Sequence, residues 1–466
     1  MSSVTNKIAI LVKLNTLGDQ LWMIRDVEQQ TRLSPIALAV NDANEVLVTT
    51  AQVRSALDPV TDWAISKYRN SDGTRLWRLP VVSNTVYGGR PSYIRTHGGL
   101  IYVSGFANRA YPDLSDDWQL AKINDGIVPT LSWKDTYANT GNNWVNGFAL
   151  SANGDVATIV GETIVSGGRA FSALIYSNLN SQNPTVRFAS KLGTGSTFGD
   201  AATDAAVTAD SKIYVVGSLG VAGQDAQPAL VKFDASGVEH CSWIDETSSG
   251  QYRDGLTAIT LGLDGPVVTG AQRSSLGSVD MVTIQFDSQC RRLWTVRHGE
   301  PQTREYGLAI KTLSSGPHAG RVITAGWGRS PMKPNTATLQ AIDRVGCTLD
   351  VDGDGSRRAL TDGLHLIKAM LDIAPANVIS AETERATNLA RSFVYRLDLD
   401  LDGDGAVRAE SDGIILIRAM LGFRDDAITS GVAVSATAPR KQWLATTNPS
   451  SANSIKLFLA RQCGGL

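Results

Sequence analysis

The sequence contains few of the residues that build catalytic centres or soft-metal sites. Its 466 residues include four cysteines and five histidines. The histidines are His97, His240, His298, His318 and His365. They are scattered and share no metal-ligand spacing, so they do not indicate a zinc or copper site. No recognisable catalytic set stands elsewhere in the chain, and the sequence alone does not indicate an enzyme.

The chain also lacks an excess of positive charge and a long apolar run. Its formal net charge is −2, which argues against a nucleic-acid partner. No window approaches the ~18 apolar residues of a membrane helix, so we expect no transmembrane segment. The N-terminal sequence MSSVTNKIAILVKLN lacks the basic start, apolar run and small-residue cleavage site of a secretory signal. No export signal is therefore recognised in this chain.

Four cysteines are too few for a disulfide-rich scaffold. Cys347 and Cys463 flank the C-terminal region, and a bridge between them would clasp its two ends. Cys241 and Cys290 stand in neighbouring copies of the repeat described next, and they are a second candidate pair. Four buried free thiols are the alternative. Four cysteines allow three pairings, and the sequence does not choose between them.

An aromatic residue recurs at a near-constant interval through residues 1–346. It follows a short polar turn and stands at Trp22, Trp77, Trp133, Phe188, Trp243 and Trp294. The intervals are 55, 56, 55, 55 and 51 residues. Such regularity indicates stacked or radially arranged copies of one supersecondary unit. We expect these aromatic side chains to lie in the core between copies rather than to form a sugar-binding platform.

Each copy contains four short runs with strand character. In one copy the first three are DAAVTA (204–209), IYVVGS (213–218) and ALVKFD (229–234), and the marker aromatic ends the fourth. Glycine, asparagine or aspartate turns separate the runs, which excludes long helices. Four short strands in ~50 residues are typical of a propeller blade. The sequence therefore predicts a mainly β fold, with a β-propeller of about six to seven four-stranded blades over residues 1–346.

The repeat resembles bacterial β-propeller families whose blades read YVTG…KL…G…W. The stretches FDASG (233–237) and KLN (13–15) fit this pattern. The resemblance implies a secreted or surface propeller without a fixed chemistry. The first blade is incomplete, because only its third and fourth strands are present, and no fourth strand follows Ile342. Either the early strands close the ring by completing the last blade, or the natural chain begins upstream of Met1, which would also explain the missing export signal.

Two acidic loops stand in the C-terminal region. Residues 350–371 read DVDGDGSRRALTDGLHLIKAML, and residues 400–421 read DLDGDGAVRAESDGIILIRAML. Each loop brings four acids together, which are Asp350, Asp352, Asp354 and Asp362 in the first and Asp400, Asp402, Asp404 and Asp412 in the second. Four carboxylates in one short turn repel each other unless a cation lies among them. Oxygen ligands without nearby histidine or cysteine favour calcium, so we predict two calcium ions.

The rest of each ligand set follows from the loop pattern. The glycine at the sixth position lets the backbone turn and present the next carbonyl, that of Ser356 or Ala406, to the ion. The closing acid of such loops usually stands at the twelfth position. Here Asp362 and Asp412 stand at the thirteenth, and we assign them as the closing ligands.

The twelfth position is occupied by Thr361 and Ser411, which are candidate helix caps. Glu410 is a rival closing ligand in the second loop, but the first loop has no counterpart.

Each loop is followed by an apolar helical stretch and, after a connector, by a second one at 382–396 or 453–462. With this unit used twice, residues 347–466 resemble a dockerin-type calcium-binding domain, in the form that carries ALTDG after the loop. That signature stands here at residues 359–363, and as AESDG at 409–413. The resemblance implies calcium-dependent folding and, in dockerins, docking to a cohesin module. The closing acid at the thirteenth position departs from the dockerin loop.

Three functions remain open at this point. The first is an extracellular, periplasmic or cell-surface protein whose propeller binds a protein or a glycan without catalysis and whose C-terminal domain folds around calcium. The second is a propeller enzyme, a glycoside hydrolase or lyase, that carries the dockerin-like module. The third is a component docked to a cohesin-like module of a larger assembly. Carboxylates ~5–10 Å apart in the channel of the propeller would favour hydrolysis.

Overall fold

The structure is a computed structural model of the whole chain. The description covers residues 9–26, 33–53, 61–81, 88–108, 116–138, 143–165, 168–193, 200–221, 226–245, 255–262, 265–273, 279–299, 303–313, 320–330, 333–342, 349–352, 354, 356–371, 373, 381–395, 399–404, 406–434, 440 and 454–463. The chain divides into two compact units, Met1–Ile259 with Gly270–Gly277 and Thr260–Thr269 with Ser278–Leu466. The predicted boundary between residues 346 and 347 stays a prediction.

Most of the chain forms antiparallel sheets whose strands follow one another in chain order. The first sheet has two strands, β1 (Ala9–Leu14) and β2 (Gln20–Asp26). Four sheets of four strands follow: β3 (Leu33–Val40), β4 (Val46–Val53), β5 (Thr61–Tyr68), β6 (Arg75–Val81); β7 (Gly89–His97), β8 (Leu100–Asn108), β9 (Asp116–Asn124), β10 (Thr130–Tyr137); β11 (Trp144–Leu150), β12 (Val156–Val165), β13 (Gly168–Ser177), β14 (Thr185–Lys191); β15 (Ala201–Val207), β16 (Ile213–Gly220), β17 (Ala226–Phe233), β18 (Glu239–Ile244).

The remaining strands belong to one seven-stranded sheet. They are β19 (Gly255–Leu261), β20 (Pro266–Arg273), β21 (Val279–Phe286), β22 (Arg292–His298), β23 (Arg304–Thr312), β24 (Val322–Ser330) and β25 (Lys333–Ile342). The pairing between β21 and β23 is parallel and is described for Val279 with Arg304. This sheet therefore consists of a further four-stranded repeat, β19 to β22, followed by three more strands.

The middle strands of the repeat are buried along almost their whole length. Every residue of β17 and β21 is buried, whereas the residues of β6 and β10, which are fourth strands, are mostly exposed or half-buried. A strand covered on both faces needs a continuous apolar run rather than an alternating one. This explains why the second and third strands carry runs such as IYVV.

The cores of the first unit lie between successive sheets. One core joins Trp118 of β9 to Phe148 of β11, and the next joins Phe171 of β13 to Val215 of β16. The sheets therefore pack face to face in chain order, as the blades of a propeller do. Five of the six marker aromatics lie in fourth strands, whereas Trp22 lies in β2 of the two-stranded sheet. Trp133 and Phe188 pack half-buried against the core of Trp118, and Trp77 packs half-buried against a further core that contains Trp63 of β5.

Hydrogen bonds also link the first strands of successive sheets in the first unit. The side chain of Asn146 donates to the carbonyl of Ala202 at 2.9 Å. Thr203 Oγ1 donates to the carbonyl of Leu256 at 2.6 Å. Asn146 and Thr203 are the extra residues of β-bulges in β11 and β15. The bulge thus turns one polar side chain of each of these strands toward the next sheet.

A glycine in the second strand makes room for the bulge. A Cβ atom on Gly161 would lie 1.8 Å from the carbonyl oxygen of Trp144, and one on Gly217 would lie 1.9 Å from that of Ala201. The same backbone crowding, at 2.1–2.2 Å, is found at Gly105, Gly270 and Gly326. The glycine that recurs within the second strand-like run of each copy, as in IYVVGS, is therefore required by the close approach of two backbones.

Helices form the last part of the chain. They are α1 (Asp362–Met370), α2 (Ala381–Tyr395), α3 (Ile414–Met420) and α4 (Ile455–Cys463), with a π-helical turn at Ala409–Gly413 and a 3₁₀ turn at Asp425–Ile428. A shared core contains Leu366 of α1, Phe393 of α2, Leu416 of α3 and Leu459 of α4. The helices therefore close around one apolar centre.

The structure confirms the predicted mainly β fold and its repeated four-stranded antiparallel sheets. The number of blades and the closure of a ring stay predictions. The helices α2 and α4 lie where the sequence predicts the second helical stretch of each copy. That these helices form a separate domain also stays a prediction.

The close approach at Gly161 predicts that adding a methyl group there strongly destabilises the fold. Gly161→Ala is expected to destabilise the protein by about 2–4 kcal/mol, because the added Cβ overlaps a backbone oxygen that cannot move without breaking the sheet. Thermal denaturation followed by circular dichroism measures this. Gly255→Ala is the matched control, since its added Cβ meets its nearest atom at 3.5 Å. Equal melting temperatures for the two variants would contradict the role given to Gly161.

Candidate metal centre

Three carboxylates of each acidic loop come together. Among the described residues, two groups of three acids place their oxygen atoms within 4.8 Å of one another. They are Asp350, Asp352 and Asp362 in the first loop and Asp400, Asp402 and Asp412 in the second. Two oxygens bound to one calcium ion at ~2.4 Å are at most ~4.8 Å apart. The spacing in both loops therefore fits a single cation of this size.

The acid at the thirteenth position joins the two ends of the first loop by hydrogen bonds. Oδ1 of Asp362 accepts hydrogen bonds from the amides of Val351 at 2.7 Å and Asp352 at 3.3 Å. Oδ2 accepts one from the amide of Arg358 at 2.8 Å. Asp362 is fully buried. The carboxylate thus joins the start of the loop to its end, and its predicted role as a ligand stays a prediction.

The second loop repeats this arrangement. Asp412 accepts the amides of Leu401 at 2.7 Å and Asp402 at 3.2 Å on Oδ1, and that of Arg408 at 2.9 Å on Oδ2. Asp412 is fully buried, and burial raises the pKa of its carboxyl. The two loops differ at the second, seventh, eighth, eleventh and twelfth positions, yet the same clasp forms in both, so the clasp follows from the Asp and its spacing.

The residues at the twelfth position do not cap the helices as predicted. Thr361 occupies the N-cap position of α1, but its side chain makes no capping hydrogen bond. Its hydroxyl donates to Asp362 Oδ2 at 3.2 Å, and that of Ser411 donates to Asp412 Oδ2 at 3.2 Å. Each hydroxyl is thus directed toward the buried carboxylate rather than toward the amides of the first helical turn. Ser411 also lies within the π-helical turn rather than before the helix.

The acid at the fifth position binds an arginine. In the first loop Asp354 Oδ1 accepts the amide of Ser356 at 2.7 Å, and Oδ2 pairs with Arg358 Nη1 at 2.8 Å. Asp404 likewise accepts the amide of Ala406 at 3.0 Å. Its other oxygen pairs with Arg408. The predicted ligand roles of Asp354 and Asp404, and of the carbonyls of Ser356 and Ala406, stay predictions.

Sequence reasoning missed these two arginines. The signal was present, because Arg358 and Arg408 occupy the same place in both copies.

The second loop is more deeply buried than the first. Asp402 is 0% exposed and Asp400 8%, whereas Asp350 and Asp352 are half-buried. Oδ2 of Asp402 is buried without a hydrogen-bond partner. Burial raises the pKa of Asp402 to about 6, and the other carboxylates of the loop act in the same direction. An unpartnered buried carboxylate oxygen is costly unless a cation satisfies it, so the donor set fits a calcium ion.

A distant arginine also holds the second loop. Arg440 Nε donates to the carbonyl of Leu401 at 2.8 Å, and the backbone amide of Arg440 donates to the carbonyl of Asp402 at 2.9 Å. Its Nη2 donates to the carbonyl of Asp400. The guanidinium lies over the ring of Phe458 in α4, 4.0 Å from its centroid. The second loop is thus tied to the last helix by a residue that no sequence pattern indicated.

The glycine after each closing acid lets α1 and α3 approach. A Cβ atom on Gly363 would lie 2.5 Å from Ile417 Cδ1, and one on Gly413 would lie 2.5 Å from Ile367 Cδ1. The two contacts are reciprocal, so the copies are related by a local two-fold arrangement. Ile367, Leu371, Ile414 and Ile417 line an open, mostly apolar groove of about 550 Å³ here.

The cysteines that the structure describes are oxidised. No cysteine of the described residues is free, and Cys241, Cys290 and Cys463 are each in a disulfide. Cys347 lies outside the described residues. The alternative of free thiols is therefore wrong for the three described cysteines, while the pairing stays a prediction.

Acids are rare on the first strands of the sheets. Over the described first strands, β3, β7, β11, β15, β19 and β23, the acidic residues are Asp204 and Glu305. Burial raises the pKa of Asp204 to about 6. Its oxygens accept the amides of Ala205 at 2.9 Å and Ile259 at 3.1 Å. Within the first unit, the described first strands carry no second carboxylate that would pair with Asp204.

Among known proteins, similarity to this chain is found in solved structures. No protein-family model matches the sequence, and no curated protein matches it. The chain is similar to the solved structure of Sqt1 from Chaetomium thermophilum, with 11% identity and a TM-score of 0.40 over 66% of this chain and 69% of that one.

Two enzyme structures are matched at a similar level. One is the periplasmic gluconolactonase of Pseudomonas aeruginosa, with 13% identity and a TM-score of 0.40 over 72% of this chain and 96% of that one. The other is the alpha-L-arabinanase of Penicillium chrysogenum, with 14% identity and a TM-score of 0.36 over 68% of this chain and 94% of that one. At these scores no activity is transferred to this chain.

The fold is a mainly β, propeller-like repeat of four-stranded sheets. No helix among the described residues is long and apolar enough to span a membrane.

The clasp predicts that the closing acid stabilises the loop even without metal. Asp412→Asn is expected to destabilise the helical region by about 2–3 kcal/mol in chelator, because an amide NH₂ would face N–H donors that need an acceptor. Helical circular dichroism during urea denaturation measures this. The control is Glu410→Gln, which neutralises an exposed acid two residues away. A loss no larger than that of the control would contradict the clasp.

Proposed function

We propose that residues 347–466 form a dockerin-like module that binds two calcium ions, and that the module is joined to a non-catalytic propeller. The unpartnered, fully buried Oδ2 of Asp402 supports this most directly. In the first loop the ion would be held by Asp350, Asp352 and Asp362, with Asp354 and the carbonyl of Ser356 as further ligands. In the second loop it would be held by Asp400, Asp402 and Asp412, with Asp404 and the carbonyl of Ala406. Calcium would supply the positive charge that the crowded carboxylates lack, and it would do no chemistry on a substrate.

The exposed face of α1 and α3 is the proposed docking surface of the module. Leu364 lies on α1 and Ile414 on α3, Leu371 and Leu421 directly follow these helices, and the four side chains are 38–59% exposed. Leu371 and Ile414 also line the groove. Large apolar side chains exposed together are typical of a protein-binding face. Because the face rests on helices that follow the two loops, calcium would fix its shape. The partner is a protein module, of the cohesin-like kind that the resemblance implies.

We place the protein outside the cytoplasm, in the periplasm, at the cell surface or in the medium. The three disulfide-bonded cysteines support this, because disulfides persist in oxidising compartments. Extracellular calcium is also abundant enough to fill sites of moderate affinity, ~10⁻⁴–10⁻³ M in such modules.

The propeller is proposed to be a binding scaffold for a protein or a glycan. The scarcity of carboxylates on its described first strands supports this, since glycoside hydrolysis uses a pair of acids. The second candidate is an enzyme that acts on a polysaccharide, as the printed name of the matched arabinanase describes for that protein.

An assay on sugars separates the two candidates. The full-length protein with calcium is expected to release no reducing sugar from arabinan and to leave a sugar lactone intact. Reducing-end and lactone assays against a buffer blank measure this. If the protein turns over one of these sugars and Asp204→Asn abolishes the turnover, the protein is an enzyme and the scaffold proposal is wrong. Asp210→Asn, which changes an exposed acid, is the control variant.

Calcium titration tests the module. Isothermal calorimetry of the chelated, desalted full-length protein is expected to show two calcium ions bound. At a hundredfold excess over the dissociation constant, calcium would stabilise each site by about 2.7 kcal/mol, so the helical melting temperature should rise. Asp352→Ala and Asp402→Ala should each remove one ion, because each change deletes a central carboxylate.

The control is Asp426→Asn, which neutralises an exposed acid in the 3₁₀ turn and should leave both sites. Two ions still bound in the double variant would refute the ligand assignment. A helical region equally stable in calcium and in chelator would refute calcium-dependent folding.

A further inference from the structure

Each acidic loop contains a positively charged arginine that pairs with one of its acids. Arg358 stands four residues after Asp354, and Arg408 stands four residues after Asp404. Arg358 Nη1 lies 2.8 Å from Asp354 Oδ2. Arg408 Nη1 makes the same contact with Asp404 Oδ2. The loops differ at the seventh and eighth positions between these residues, so the pairing belongs to the loop design rather than to one local environment.

The same arginine is also fixed through its backbone. The amide of Arg358 donates to Asp362 Oδ2 at 2.8 Å while its side chain holds Asp354. Each arginine therefore bridges the acid at the fifth position and the acid that closes the loop. This places a permanent positive charge at the edge of a group of carboxylates that a metal ion would otherwise have to neutralise.

We infer that Arg358 and Arg408 are internal counter-cations that weaken calcium binding and stabilise the loops when no ion is bound. This inference rests on the calcium sites proposed above. An oxygen of Asp354 or Asp404 that is bound to a guanidinium must release it before it ligates an ion. A guanidinium beside the site also repels a second cation. Both effects lower the affinity of the loop for calcium. In the metal-free loop, the guanidinium supplies part of the positive charge that calcium would otherwise give.

The two loops should respond to different degrees. The side chain of Asp404 is 6% exposed, whereas that of Asp354 is 38% exposed. Water screens the exposed pair, and exposed ion pairs contribute little. The pair of Asp404 with Arg408 is screened less, because its carboxylate is buried although its arginine side chain is 48% exposed. Removing Arg408 should therefore change the second site more than removing Arg358 changes the first.

Calorimetry on the full-length protein with calcium chloride tests the inference. Arg358→Gln is expected to tighten the first site by about twofold to fivefold, within the range for exposed pairs. Arg408→Gln is expected to tighten the second site by about tenfold, the effect of losing one hydrogen bond to a charged group. In chelator, both variants should melt at a lower temperature than the unchanged protein. Lys368→Gln removes the same charge from an exposed position on α1 and should change neither quantity.

The opposite signs of the two effects distinguish this role from a merely structural one. A structural residue would weaken calcium binding and lower the melting temperature together, and that result would overturn the inference. Unchanged affinity in both variants, with two ions bound to the unchanged protein, would also overturn it and leave the proposed function standing.

The remaining outcomes concern calcium binding itself. Binding seen only in the arginine variants would support the inference and refute calcium binding by the natural chain. Binding in none of the proteins would overturn both.

Discussion

The clasp formed by a buried carboxylate on the backbone of its own loop is the interaction on which the C-terminal structure depends. Asp362 and Asp412 each accept amides from both ends of a loop. This fixes the loop as a tight turn, in which oxygens of the clasping acid and of two others, Asp350 and Asp352 or Asp400 and Asp402, lie within 4.8 Å of one another. The crowding is thus a consequence of the clasp, and the positive charges of Arg358, Arg408 and Arg440 lie where that crowding needs compensation.

Both the sheets and the helices have a glycine where two elements come close together. In the sheets, Gly161 and its counterparts leave space for the carbonyl of a bulged neighbouring strand. In the helices, Gly363 and Gly413 leave space for an isoleucine of the other copy. A side chain at any of these places would push two elements apart, so the repeats keep glycine where they vary elsewhere. The repeat is therefore visible in the sequence chiefly at its turns and contact points.

The sequence predicted the candidate site in part. Asp350, Asp352 and Asp362, with their copies, were predicted from spacing, and the structure brings them together. The predicted caps failed because the hydroxyls of Thr361 and Ser411 have a buried carboxylate within reach. Arg440 was not found, because its contacts to the second loop join residues about forty positions apart, and local patterns do not record such contacts.

The sequence by itself determined the mainly β repeat, the positions of its strands and the two acid loops. These features are local: strand alternation, turn glycines and ligand spacing are properties of short segments. The tertiary structure decided that Arg440 holds the second loop and that the second loop is more deeply buried than the first. Burial and charge compensation depend on residues that folding brings together from distant parts of the chain, so no short segment contains that information.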